Sequence, residues 1–132
     1  MRTRKIKDLT KELLTKREFL NMRNSFDVLG DIAIFSDFPE KLKKKEKLIG
    51  NKILANLKHV EVVMKKVKNY SGKYRLPKFK IIAGENRKET MHRENGVRII
   101  VNPEKCYFSS RLSGERLRIS KLVKPNETIL VM

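Results

Sequence analysis

The residues with the clearest chemical potential lie between positions 107 and 119. This segment combines an aromatic pair, three arginines and one carboxylate: Tyr107, Phe108, Arg111, Glu115, Arg116 and Arg118. Glu115 lies three residues after Leu112 and four before Ile119, so helical spacing places it beside the apolar face of a predicted helix. Apolar neighbours destabilise a charged carboxylate, so the pKa of Glu115 is expected to rise toward that of a general base. Arg111, one turn earlier, is placed to hold Glu115 or a substrate anion.

A structural interpretation of the same residues is also open. A glutamate in the first turn of a helix interacts favourably with the helix dipole and can pair with Arg111 or Arg118. Spacing alone favours this interpretation of Glu115. Similarly, Tyr70, Tyr74 and Phe79 stand among basic residues like a base-stacking surface, although aromatic side chains in strands more often form core.

Length and charge restrict the class of protein. The 132 residues are 39% apolar, enough for one domain with a hydrophobic core and an additional N-terminal helix. Lysine and arginine number 32 against 15 acidic residues, a formal charge of +17, which predicts a polyanionic partner. Nucleic acid is favoured over a membrane, because no run approaches the roughly 18 apolar residues of a spanning helix. The first residues also lack the apolar run of a signal peptide, so a cytoplasmic location is expected.

Metal and phosphate-loop chemistry have no support in the sequence. The only histidines, His59 and His92, are far apart and have no partner at ligand spacing, so no metal site is predicted. The single cysteine, Cys106, excludes an internal disulfide and is expected to be free and structural. The six glycines are isolated and form no phosphate-binding loop.

The pattern of predicted helices and strands indicates an α+β fold, with a small antiparallel or mixed sheet and packed helices. These elements must position the residues named above. Helices are predicted at 6–22, 38–57 and 113–123, with Pro39 in the first turn of the second. Extended segments are predicted at 25–35 with a bend at Gly30, and at 59–64, 78–83, 89–93 and 97–102. A loop is expected at 69–73 and a tight hairpin turn at 94–96. The lysine-rich stretch 41–47 is typical of a solvated helix face.

The final apolar run, 128–132, has a different pattern. Continuous apolarity without alternation is typical of a strand buried on both faces of a parallel sheet. No residues follow in the sequence to cover it.

Three blocks of this sequence resemble the archaeal and eukaryotic type of tRNA (guanine-37 N1) methyltransferase. The first is 25–33. The second joins Ser71-Gly72 and Tyr74-Arg75 to 82–85 and 92–96. The third runs from Tyr107-Phe108-Ser109 through Arg111-Leu112-Ser113 and Glu115-Arg116 to 121–123. Their order is the family's order. The resemblance implies an N-terminal helix or extension at 1–24, the family's middle domain at 25–123 and the start of a truncated methyltransferase domain at 124–132. It also implies that the run 128–132 is the first strand of a missing Rossmann-like domain.

The resemblance also implies roles for four residues. Glu115 matches the glutamate proposed to take the N1 proton of guanine, and Arg75 matches an arginine that steadies negative charge on guanine O6. Tyr107 and Arg111 match positions near the methyl donor and the flipped base. The implied partner is tRNA and the implied donor is S-adenosylmethionine.

Departures from the family pattern limit these expectations. Ser110 stands where the family usually has proline, Gly114 where threonine is common, and Val131 where aspartate is usual. The glycine-rich donor loop is not found, so the chain alone is expected to be inactive, unless a separate donor-domain polypeptide completes it. Three alternatives remain open: a stand-alone basic RNA-binding module, a non-functional truncated product, and the related wybutosine-pathway aminocarboxypropyl transferase.

Overall fold

A four-stranded mixed sheet forms the centre of the chain in the computed structural model, which describes residues 6–22 and 25–130. Its strands lie in the order β1-β2-β3-β4: Asp27–Leu29, Ile32–Phe35, Val62–Ser71 and Leu76–Gly84. The outer pairs β1–β2 and β3–β4 are antiparallel, whereas β2 and β3 are parallel. The predicted α+β fold with a mixed sheet and packed helices is confirmed.

Both faces of this sheet are covered, which explains the unbroken apolarity of β2, whose four residues are all buried. On one face lie the helical segments α1 (Ile6–Thr10), α2 (Lys16–Asn21) and α3 (Glu46–Asn56), with a 3-10 helix at Glu40–Lys45. Ile49 and Ile53 of α3 are fully buried in this layer. A Cβ added to Gly50 would lie 2.6 Å from the Cβ of Ala83, so α3 packs closely against β4.

A β-hairpin covers the other face. Its strands are β5 (Thr90–Glu94) and β6 (Val97–Val101), and the predicted turn between them is confirmed. Asn95 and Gly96 have φ angles of 49° and 79°, as a two-residue hairpin turn requires. Val101 is buried in an apolar cluster with Ile34 and Met64 of the sheet, and Ile99 and Phe108 pack against this cluster.

A buried ion pair joins the helical layer to the sheet. The Lys65 Nζ lies 2.6 Å from the Glu46 Oε2, and these two side chains are only 7% and 11% exposed. Lys80 also contacts the Glu46 carboxylate. Burial alone would raise the pKa of Glu46, but hydrogen bonds from Lys65 and Lys80 outweigh it and the pKa is lowered.

Two predicted elements near the N-terminus are corrected. The region 25–35 is a hairpin and not one bent strand, because Gly30 adopts a φ of 57° and reverses the chain between β1 and β2. The helix predicted at 6–22 is interrupted: Leu14 is extended, and Thr15 begins α2 with a capping box to Glu18.

Further along the chain, β3 continues to Ser71, so the predicted loop at 69–73 begins later, at Gly72. The last helix, α4 (Ser113–Ser120), follows a 3-10 turn at Ser110–Leu112 and is shorter than predicted. Residues 128–130 are not in a strand, and Ile129 and Leu130 are exposed. The remainder of that predicted strand, Val131 and Met132, lies outside the described residues.

Candidate functional site

The segment predicted to carry chemistry is held to β5 by a network of charged groups centred on Glu94. The Glu94 side chain is only 8% exposed and forms a two-point ion pair with Arg116, including an Nη2 to Oε2 hydrogen bond of 2.8 Å. Arg116 Nη2 also donates to the carbonyl of Ser109 at 2.9 Å. One arginine therefore fixes both the start of α4 and the backbone just after Tyr107.

His92 connects this network to the β1–β2 turn. The Gly30 N–H donates to His92 Nδ1 at 3.2 Å, so the proton of the neutral ring is on Nε2, which lies 3.0 Å from Glu94 Oε2. A Cβ at Gly30 would approach the Thr90 Oγ1 to 2.2 Å. Glycine at this position thus permits the close approach that places His92.

Phe108 completes the packing of this network. Its ring meets His92 edge-on at a centroid distance of 5.2 Å, and the Arg116 guanidinium carbon lies 4.3 Å from its centroid. The hydrogen bonds from Arg116, followed by that from His92, lower the pKa of Glu94 to about 2 although its burial opposes the shift. Glu94 is therefore ionised at neutral pH and acts as the structural anion of the site.

Tyr107 and Arg111 lie at one edge of the sheet, near β1. Tyr107 is 61% exposed and lines a cavity of about 100 Å³ together with Asp27, Phe108 and Ser109. Arg111 Nε donates to the Asp27 Oδ1 at 2.8 Å, and this bond raises the pKa of Arg111. The expectation that Arg111 holds Glu115 is wrong, because its carboxylate partner is Asp27.

For Glu115, the structural interpretation, a pair with Arg118, is confirmed, whereas the apolar environment expected for a general base is wrong. Its side chain is 50% exposed and its two carboxylate oxygens accept hydrogen bonds from Arg118 at 2.6 and 2.9 Å. These bonds lower the pKa of Glu115, opposite to the predicted rise. The apolar residues of this face are themselves exposed, with Leu112 at 45% and Ile119 at 50%, so they do not bury the carboxylate.

Arg75 lies apart from these groups, in the turn between β3 and β4. It is exposed and has a φ of 51°, which is uncommon for a residue with a side chain. Its N–H donates to the Gly72 carbonyl at 3.2 Å. Among the described residues, no hydrogen bond or ion pair connects Arg75 with Arg111 or Glu115. Tyr74 beside it is 72% exposed, whereas Phe79 is core; the side chain of Tyr70 is outside the described part.

The cavity beside Tyr107 is too small to hold S-adenosylmethionine. Pockets for ligands of that size typically measure about 300–1,000 Å³, several times the 100 Å³ found here. Of the two residues expected near the donor, Tyr107 lines this cavity and Arg111 does not.

Sequence reasoning did not assign roles to Asp27, Glu94 or Arg116. The last two stand 22 positions apart, in the blocks 92–96 and 107–118, and only the fold pairs them. The sequence contains one local indication for Glu94: it directly precedes the Asn-Gly turn, which places it beside the following strand.

The described residues contain neither a metal-binding cluster nor a membrane-spanning helix. Within residues 6–22 and 25–130, no cluster of three or more histidine, cysteine, aspartate or glutamate side chains is suited to hold a metal ion. In the same part of the chain, no helix has the length and apolarity to cross a membrane.

Comparison with known protein families matches two family models to consecutive parts of the chain. Residues 6–87 match the family model described as the TYW2 N-terminal domain, and residues 90–132 match the TRM5/TYW2 methyltransferase domain. The first match covers more than half of the chain. The chain therefore belongs to the TRM5/TYW2 family.

Curated relatives are similar over nearly the whole chain. It is 42% identical over 129 residues to a tRNA (guanine(37)-N(1))-methyltransferase Trm5b of Pyrococcus abyssi, covering 98% of this chain and 37% of the relative. A protein of the same description from Methanocaldococcus jannaschii is 39% identical, over 82% of this chain and 32% of its own length. The chain thus spans about a third of the curated relatives that it matches.

Solved structures agree in fold. The structure of Pyrococcus abyssi Trm5b matches with a TM-score of 0.72 and 41% identity, covering 84% of this chain and 34% of that one. A structure described as the complex of aTrm5 and tRNALeu matches with a TM-score of 0.78 and 33% identity, over 96% of this chain and 38% of the other.

Proposed function

We propose that these residues bind tRNA and supply the guanine-facing part of a tRNA (guanine-37 N1) methyltransferase that uses S-adenosylmethionine. The observation that carries this proposal is the 42% identity to Trm5b, which extends over 98% of the chain and includes the Glu94–Arg116 segment. One structural neighbour is described as a complex with a tRNA. The formal charge of +17 supports a nucleic-acid partner for this chain.

In this proposal Glu115 and Arg75 act on the base. The N1 of guanine carries a proton that must leave as the methyl group is transferred, and a carboxylate placed at N1 can accept it. Negative charge then develops on O6, where a guanidinium stabilises it. Glu115 and Arg75 supply these two groups, and Tyr107 and Arg111 border the base and the donor.

The observed pairing of Glu115 adds a requirement. Its pKa is lowered while Arg118 donates two hydrogen bonds to it, and this makes it a weaker base than its sequence position suggested. We infer that guanine binding separates Glu115 from Arg118. Loss of those two bonds, together with exclusion of water by the base, raises the pKa of Glu115 at the moment when it must accept a proton.

Donor binding is proposed to require residues other than these 132. S-adenosylmethionine supplies the methyl group in the proposed reaction, and the cavity beside Tyr107 accommodates only a small part of such a molecule. The chain alone is therefore expected to bind tRNA without methylating it. The proposed site of action is the cytoplasm.

Aminocarboxypropyl transfer is a second candidate, favoured by one observation. The family model that covers residues 6–87 carries the name of TYW2. Methyl transfer is preferred because relatives described as guanine-37 methyltransferases reach 42% and 39% identity.

The test is a reconstitution with a relative's donor-binding portion. The chain, that portion and their mixture would each be incubated with labelled S-adenosylmethionine and a tRNA transcript carrying guanine at position 37. We expect N1-methylguanine only in the mixture, and none when position 37 is adenine. Labelled aminocarboxypropyl product would support the second candidate. Tight tRNA binding without any transfer in the mixture would leave a binding module and contradict the catalytic proposal.

A further inference from the structure

The outer face of the β5–β6 hairpin contains two arginines that stand directly opposite each other. Arg93 on β5 is paired in register with Arg98 on β6, and both are exposed. Side chains opposite one another in an antiparallel pair have Cβ atoms about 4.5–5.5 Å apart, and like charges at that distance destabilise a hairpin. A repulsive pair at this position needs a counter-charge.

No carboxylate within residues 6–22 and 25–130 supplies that counter-charge. Glu94 is next to Arg93 in sequence, but strand alternation sends it to the opposite face, where Arg116 and His92 occupy it. Among the residues that the structure describes, neither Arg93 nor Arg98 is ion-paired with an acidic side chain. The two guanidinium groups therefore face solvent together.

Apolar side chains adjoin the arginines on the same face. The next cross-strand pair is Met91 with Ile100, and these side chains are 47% and 66% exposed. A shallow depression around the hairpin tip is lined by residues 93–98 and includes both arginines. The face thus combines a paired positive charge with a small apolar surface beside it.

The hairpin is also fixed relative to the candidate site. The Asn95 Nδ2 donates to the Ser113 carbonyl at 3.0 Å, at the first residue of α4. The ion pair between Glu94 and Arg116 connects the same two elements. A ligand held by Arg93 and Arg98 is therefore held in a defined position with respect to Glu115.

We propose that Arg93 and Arg98 form a clamp for one phosphate of an RNA backbone, with Met91 and Ile100 contacting the adjoining sugar or base. Guanidinium groups bind phosphate oxygens in bidentate geometry, and two of them neutralise a charge that one leaves partly exposed. RNA is favoured over an acidic protein because the clamp has apolar residues beside it and belongs to a chain of charge +17. This inference rests on the proposed tRNA binding and deepens it.

The experiment compares two variants that remove the same charge. In the first, Arg93→Gln is combined with Arg98→Gln; in the control, Lys47→Gln is combined with Lys58→Gln. Lys47 and Lys58 are exposed residues of α3 and the segment after it, on the helical side of the sheet. Affinity for a tRNA transcript would be measured for the intact chain and for both variants, from low to physiological salt.

We expect the clamp variant to lose on the order of tenfold in affinity, and the control variant much less. The slope of log K against log salt should decrease by about 0.7–0.9 in the clamp variant, because one phosphate contact is lost. The two single changes should each give most of the loss, because both arginines bind the same phosphate. Equal losses in the clamp and control variants would show an effect of total charge alone and would overturn the clamp.

Stability provides a second readout that separates binding from folding. Removal of the repulsion should leave the Tm of the clamp variant unchanged or higher, and Arg98→Glu should raise it further by creating an opposite-charge pair with Arg93. Arg98→Glu should also weaken RNA binding more than Arg98→Gln. A lower Tm with unchanged RNA affinity would assign the arginines a structural role and overturn the proposal. If the intact chain binds no tRNA, the proposed function itself fails; if it binds tRNA and the clamp variant binds equally well, only the clamp fails.

Discussion

The sheet with its helical layer and the segment from residue 102 to 130 are held by different kinds of interaction. In the sheet, β2 is entirely buried, α3 presents fully buried isoleucines, and the Glu46–Lys65 ion pair lies inside the packing. In the later segment no residue of α4 is buried, and Leu117, Ile119 and Leu122 are exposed. That segment is placed mainly by ion pairs and hydrogen bonds, from Arg116, Arg111 and Asn95.

This difference separates stability from chemistry. The residues proposed to act on guanine are exposed. They lie in the segment 102–130 or in the β3–β4 turn, and none of them lies in the core. Changes in the core should therefore unfold the protein, and changes at the proposed site should alter activity with little effect on folding.

The largest effect is expected for Glu46→Gln. This change leaves Lys65 buried without its counter-charge, and breaking a buried pair in this way typically costs about 3–5 kcal/mol. Urea denaturation would measure the loss in free energy of unfolding. Glu12→Gln is the matched control, because the Glu12 side chain is 82% exposed in its pair with Lys52 and should contribute little. Similar effects of the two changes would contradict the contrast between the regions.

A smaller effect is expected for Glu94→Gln. Arg116 keeps its bond to the Ser109 carbonyl but loses its charged partner, which should cost about 1–3 kcal/mol. Hydrogen exchange should show faster opening of residues 107–116 and unchanged protection of β2 and β3. Uniformly faster exchange through the sheet would show that the segment is not a separately held region.

Acid should weaken the same contact. The pKa of Glu94 is lowered from 4.5 to about 2 in the folded protein. Its contribution to stability is complete above pH 4.5 and is lost as the pH falls toward 2, because the unfolded chain binds the proton first. The free energy of unfolding of the native protein should therefore decline more steeply between these pH values than that of Glu94→Gln. If the two curves of unfolding free energy against pH run parallel, protonation of Glu94 is not the cause of the acid destabilisation.

The smallest effect on folding is expected for Arg118→Gln, which removes an exposed partner of Glu115. Because Arg118 lowers the pKa of Glu115, its loss should return that pKa toward the ordinary glutamate value. In the reconstituted methylation reaction, the acidic limb of the kcat/KM profile, which reports the pKa of the free protein, should move to higher pH, with the Tm nearly unchanged. The kcat profile should not move, because guanine binding has already separated Arg118 from Glu115. A kcat/KM profile that does not move would show that Arg118 does not set the pKa of Glu115 in the free protein.

The sequence predicted those elements that local residues determine. It failed where burial or pairing depends on residues distant in the sequence. Asn95-Gly96 specifies its hairpin locally, and the continuous apolar run of β2 specifies a buried strand. Glu115 was placed on an apolar face because Leu112 and Ile119 share its helix side, but burial depends on what packs against α4, which spacing does not contain. The same limit hid the pairing of Glu94 with Arg116.

Glu115→Gln in the reconstituted methylation reaction tests the central claim most directly, because glutamine keeps the size of the side chain and removes the base. The proposed role predicts that the single-turnover rate of guanine-37 methylation falls by about 10²–10⁴-fold, while tRNA affinity and Tm stay near those of the unaltered chain. A variant that methylates at the native rate would contradict the role of Glu115, and an equal loss of tRNA affinity would assign it to binding instead.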